Sequence, residues 1–222
     1  MLMSSHHSIA FLCNPKCASS SIEAALDRHC NVRMSKHPSI KHMNARVFQE
    51  SFLPMYQQLM PKSQIETVCV IRDPVDWLFS WYRYRSRPAL ANTEHPKHRN
   101  YTGNIDFNEF IEGYLLTGDL VEESAGEKRA PAYARVGSQY DFIKDSNNDI
   151  GIDRIYPLER TDLLIRYLQQ KLETRLKLKK LNQSPRQTMH LAPSLKHGLQ
   201  EYLKADFSLY ERARIEGYYQ RN

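Results

Sequence analysis

Two stretches of this 222-residue chain follow one local plan: an apolar run, an abrupt turn, then a helical pattern. Residues 8–14 (SIAFLCN) form a short apolar run that ends at Asn14-Pro15, as a buried strand does. Residues 20–29 then place Ile22, Ala25 and Leu26 on one helical face. The plan recurs at residues 66–71 (ETVCVI), a run rich in β-branched residues. Arg72-Asp73-Pro74 ends that run, and residues 75–85 read as a helix with Asp73 as N-cap and Pro74 in its first turn. Residues 153–158 predict a last strand, and residues 161–176 a helix after it. Strands alternating with helices predict an α/β fold, a central parallel sheet flanked by helices. Ligands of such sheets bind at the carboxyl ends of the strands. Residues 15–21 and 72–74 are therefore expected to meet in one crevice.

Between these units, residues 35–43 are polar and basic and read as a loop. Asn44 is the expected N-cap of the following helix, which Pro54 kinks or divides. Residues 86–105 show no periodicity, and residues 106–116 read as a helix. Residues 177–190 read as a basic loop, and residues 193–219 as a helical tail. The run Arg175–Lys180 reads as a solvated face, with attraction of an anionic glycan as the other reading, and Arg83–Arg85 reads as the wet face of its helix, with lining of the crevice as the alternative. The length suits one domain, spanning 1–222.

The formal net charge of +6 favours an anionic partner. A nucleic-acid-binding module is one reading of that charge, and it requires a stripe of aromatic and basic residues on one surface. The aromatics here fall mostly at helix-spaced positions suited to a core, so no nucleic acid is expected. Trp77, Phe79 and Trp81 belong to that packing set. No run of 18 apolar residues exists, so no membrane span is expected, and no secretory signal is legible. Cys13 and Cys69 sit in strand-like runs, Cys17 and Cys30 form no CxxC pair, and the four read as thiols of a cytoplasmic protein. The histidines lack partners at metal-ligand spacing, so no metal is expected.

The turn Asn14-Pro15-Lys16-Cys17-Ala18-Ser19-Ser20-Ser21 stands where the N–H groups of a helix start lack partners. Such a start attracts phosphate. Lys16 adds a positive charge, and Ser19, Ser20 and Ser21 add hydroxyl donors. A kinase or nucleotide triphosphatase would need GxxxxGK[ST]. Here the lysine precedes the hydroxyls, and residues 1–100 contain no glycine. In the second turn Arg72 offers a bidentate grip on phosphate, and Ser80, eight residues on, a further donor.

These two segments resemble the motifs of sulfotransferases that use 3′-phosphoadenosine-5′-phosphosulfate (PAPS). In that family the first strand runs into Pro-Lys-x-Gly-[Ser/Thr]-[Ser/Thr], and this chain has Ala18 at the glycine. The second motif is Arg-[Asn/Asp]-Pro followed by Ser-x-Tyr, matched by Arg72, Pro74, Ser80 and Tyr82. Lys41-His42-Met43-Asn44-Ala45 is similar to the Lys-His-x-x-Ala segment of carbohydrate-type and bacterial members. Val136–Gln139 is similar to a glutamine-containing segment there, and residues 158–159 to a Glu-x-Leu element. Residues 181–186 look like a late Asn-x-Ser loop that closes over the nucleotide. The similarity runs from residue 8 to about 215 and is weakest over 86–135, where such proteins differ in acceptor recognition.

The resemblance implies a P-loop-like nucleotide-binding fold and sulfuryl transfer from PAPS to an acceptor hydroxyl or amine, with no metal. A carbohydrate is the leading acceptor, with a small-molecule alcohol or a lipid-linked acceptor as alternatives. It implies that Lys16, Cys17, Ala18, Ser19, Ser20 and Ser21 hold the 5′ end of the nucleotide. Arg72 and Ser80 then hold the 3′-phosphate, with Ser184 and Arg186 in the closing loop. Lys16 also faces the leaving oxygen, and His42 is the expected base, with His37 and Glu50 as alternatives. Glu159 reads as structural.

Overall fold

Three parallel strands form the middle of a six-stranded sheet in the computed structural model, which describes residues 1–117, 130–179 and 189–221. The chain divides into two compact units. The first comprises Met1–Arg72, Gln139–Ser184 and Ser208–Asn222, and the second Asp73–Ser138 and Pro185–Phe207.

The first unit holds the whole sheet, in the order β3-β1-β2-β4-β5-β6. The three strands expected from the sequence are its centre: β2 (Ile9–Phe11), β4 (Glu66–Ile71) and β5 (Arg154–Pro157). β2 pairs parallel with β4, and β4 with β5. Three short antiparallel strands extend them and make the sheet mixed. β1 (Leu2–Ser4) pairs with β2 and with β3 (Val32–Arg33), and β6 (Tyr219–Gln220) closes the far edge on β5. Two of these have only two residues, too few to show an alternation in sequence.

The helix α1 (Ser19–Leu26) follows β2 and buries Ile22 and Leu26. Residues 35–43 are not wholly a loop. Pro38 opens a one-turn helix, α2 (Pro38–Lys41), because its fixed φ suits a first helical position. Asn44 caps the next helix as expected, its side chain accepting from Val47 N at 2.9 Å. That helix runs as α3 (Ala45–Val47), a π-helical stretch (Phe48–Phe52) and α4 (Leu53–Leu59). Pro54 has no N–H to continue the ladder, and Leu53 N bonds Phe48 O, five residues back. Proline here widens the helix rather than breaking it, and Phe48 and Phe52 stay buried and stacked at 5.4 Å. A further short helix, α5 (Gln139–Ile143), and the helix α6 (Thr161–Lys171) complete the covering around β5. The core draws Met3, Leu12, Phe48, Cys69, Ile71, Ile143, Ile155 and Tyr219 together.

The second unit is helical. α7 (Pro74–Arg85) has the expected Asp73 cap, which accepts from Val75 N and Asp76 N at 3.0 Å each. α8 (Phe107–Leu115) starts with a capping box between Asp106 and Glu109. α9 (Pro193–Tyr202) packs on α8, with Leu115 close to Gly198. The helical tail is not continuous: it breaks at Leu203 before α10 (Lys204–Glu216), most of whose residues belong to the first unit. Trp77 and Phe79 are buried as expected. Arg85 corrects the reading of a wet helix face. It is buried, and its guanidinium donates to the carbonyls of Ala132, Tyr133 and Arg135. Burial without a carboxylate lowers its pKa to about 10. Among the described residues, no helix is long and apolar enough to cross a membrane.

Candidate functional site

The sheet register brings the two turns of the first unit together. Phe11 pairs with Val68 on the neighbouring parallel strand, and Leu12 N continues the ladder to Val68 O at 2.8 Å. Lys16 and Arg72 therefore follow adjacent parallel strands at the same, carboxyl, end. Asn14, buried, donates from Nδ2 to Val70 O at 3.0 Å, fixing the first turn to β4.

One buried amide joins both turns. Gln139, the first residue of α5, accepts on Oε1 from Arg72 N at 2.9 Å and from Cys17 Sγ at 3.3 Å. Asn14 Nδ2 approaches the same oxygen at 3.4 Å. Gln139 Nε2 donates to Arg72 O at 2.8 Å. Gln139 was legible in the sequence only through a resemblance, because a lone glutamine carries no local signature. Its role arises from contacts with residues 67 and 122 positions away.

The first turn is bent by two left-handed residues, Lys16 (φ 65°) and Ala18 (φ 55°). A left-handed Ala18 at the cap position explains why the related motif carries glycine there. The hydroxyl of Ser19 closes the turn, donating to Asn14 O at 2.6 Å. Ser19 and Ser21 are buried, while Ser20 is half-exposed. α1 has no side-chain cap and no acid in its first turn. Burial drives the Cys17 thiol well above its ordinary range, against the positive fields of Arg72 and Lys16. Both cations thus act on one sulfur atom, and the thiol stays protonated.

His42 stands directly after α2. Its Nδ1 lies 2.6 Å from the carbonyl of Cys13, at the end of β2. A carbonyl can only accept, so Nδ1 carries the proton and Nε2 is the basic nitrogen. Burial chiefly lowers the His42 pKa; the Cys13 hydrogen bond opposes it, Lys41 and the Met1 amino group add to it, and Glu23 opposes it. His37 is the exposed cap residue of α2, and Glu50 is exposed on the π-helical stretch. Glu159 is exposed in a short 3-10 turn after β5.

Ser80 is half-exposed on α7 in the second unit. Ser184 and Arg186 lie outside the described residues. Arg175, Lys177 and Lys179 are exposed, with Leu176 buried between them. Among the described residues, no three His, Cys, Asp or Glu side chains are grouped to hold a metal ion.

The arrangement can do two things. It presents a lysine and an arginine beside a helix start, which suits a phosphorylated ligand. It also holds an imidazole whose Nδ1 is tied to a carbonyl and whose burial favours the neutral form, which suits proton abstraction. No curated protein matches the chain. A family model described as "Sulfotransferase family" matches residues 1–213.

Proposed function

The chain belongs to the sulfotransferase family, and from that premise we propose that it transfers a sulfuryl group from PAPS to an acceptor hydroxyl or amine. The observation that carries this reading is the Gln139 amide, which ties the Lys16 turn and the Arg72 turn at the ends of neighbouring parallel strands. PAPS has a charged group at each end, and two adjacent cationic turns suit such a co-substrate.

In this reading PAPS supplies the sulfuryl group. The bond from sulfur to the phosphate oxygen breaks, the bond from sulfur to the acceptor forms, and adenosine 3′,5′-bisphosphate leaves with the electron pair. Lys16 stabilises the charge that grows on the leaving oxygen, together with the uncapped start of α1. Arg72 binds the 3′-phosphate. Cys17, Ala18, Ser19, Ser20 and Ser21 form the turn around the 5′ end, where Ser20 has the accessible hydroxyl. Ser80, Ser184 and Arg186 enter on sequence resemblance alone.

His42 takes the acceptor proton on Nε2, supported by the Cys13 bond that fixes its tautomer. Burial lowers its pKa below that of an ordinary imidazole, so the neutral, basic form is favoured. The acid limb of the kcat profile is expected below pH 6.5, measured as rate against pH. A limb above 6.5 would remove His42 from this role. The acceptor is a carbohydrate or a small molecule, a reading supported by the Lys41–Ala45 segment. The cytoplasm is the proposed compartment, supported by free thiols at all four cysteines.

A thermal-shift experiment tests the nucleotide. Adenosine 3′,5′-bisphosphate at 100 times its dissociation constant is expected to add about 2.7 kcal/mol of stability. ATP and an oligonucleotide should add much less. Lys16→Ala and Arg72→Ala should each abolish the bisphosphate shift, and an intact shift in both variants would refute the site.

A further inference from the structure

His42 is delivered by a helix of four residues, α2. One turn cannot hold itself, because nucleating a helix costs more than its first bonds return. Its orientation must come from anchors outside it. Among the described residues the structure shows three. The Met1 amino group donates to Lys41 O at 2.7 Å, His42 bonds Cys13 O, and Lys41 Nζ pairs with Glu23 Oε2 at 2.5 Å. The last pair links α2 to α1, the helix that begins at the Lys16 turn. Both side chains are largely covered, at 22% exposure for Lys41 and 12% for Glu23. The other Glu23 oxygen, Oε1, is buried without a hydrogen-bond partner among the described residues. A covered carboxylate with one bare oxygen depends on its ion pair, so Glu23 and Lys41 hold each other in place.

We propose that Glu23 is a positioning residue for His42: it grips Lys41 and so sets the one-turn helix that carries the imidazole against the end of β2. The inference rests on the reading of His42 as the base. The charged groups acting on His42 are Lys41 on α2, the Met1 amino group just before β1 and Glu23 on α1, and the Cys13 thiol shares these three neighbours. Burial pushes that thiol up to about 12, so it stays neutral. Glu23 is the one anion of the set. It favours the protonated imidazole, while Lys41 and the Met1 amino group oppose it.

Histidine-labelled protein followed by NMR reads this directly. In Glu23→Gln the His42 titration midpoint should move to lower pH, since two cations remain unopposed. In Lys41→Met it should move to higher pH. The Nδ1 proton, shielded in the parent by Cys13 O, should exchange faster in both variants. With a transferable acceptor in hand, Glu23→Gln should lower kcat by up to about 10²-fold through misplacement of the base, and leave the bisphosphate thermal shift unchanged. Should one variant fail to fold, the other still gives a signed shift. An unmoved midpoint and an unmoved Nδ1 exchange rate would overturn the proposal. Transfer that survives His42→Ala would instead sink the base assignment, and the NMR result would stand apart from it.

Discussion

The turn before α1 and the turn before α7 look alike in sequence, yet they finish their helices in opposite ways. At α7 the carboxylate of Asp73 takes two backbone N–H groups, Pro74 removes another donor, and Asp76 adds a second acid. That helix start is satisfied by its own chain. At α1 the cap residue is Ala18, whose side chain has no acceptor for the first N–H groups, and no acid follows. No side chain of its own first turn offsets the positive end of the α1 dipole. The contrast separates two kinds of helix start. One start is closed by its own cap and acid, whereas the other follows a turn bent by left-handed Lys16 and Ala18 and has neither.

The largest way to break this comparison is Lys16→Ala, which should lower kcat for sulfuryl transfer by ~10²–10³. A loss below tenfold in steady-state kinetics would mean that the backbone suffices without the lysine. Next comes Gln139→Leu, which leaves Arg72 N–H and Arg72 O without their buried partner. It should cost about 2–3 kcal/mol in urea unfolding, and a neutral result would deny the amide its joining role. Asp73→Ala should cost about 1 kcal/mol, because α7, unlike α1, relies on a side-chain cap. The smallest effect is a gain. Ala18→Gly relieves a left-handed alanine, at a small entropic cost in the unfolded chain, and should add about 0.5–1 kcal/mol by thermal melting. A loss of stability there would contradict the strained geometry of the turn.

How much was legible varied with the range of the interactions involved. The caps at Asn44 and Asp73 are local, and both stand where the sequence places them. Pro54 was readable as a disturbance, but its outcome, a π-helical stretch, depends on keeping Phe48 and Phe52 in the core. Arg85 looked like a surface arginine because its partners are carbonyls 47 to 50 residues away. Glu23 and Lys41 each resemble ordinary helix-surface residues, and only folding sets them 2.5 Å apart.

The sequence by itself determined the three central strands, the turns at their carboxyl ends and the cationic residues those turns carry. These features depend on hydrophobic runs, proline and capping side chains, whose effects act within a few residues. The tertiary structure alone decided the antiparallel edges β1, β3 and β6, the Gln139 bridge and the anchoring of His42. Each of those is a pairing between segments far apart in the chain, and a partner's identity is not encoded beside the residue that needs it.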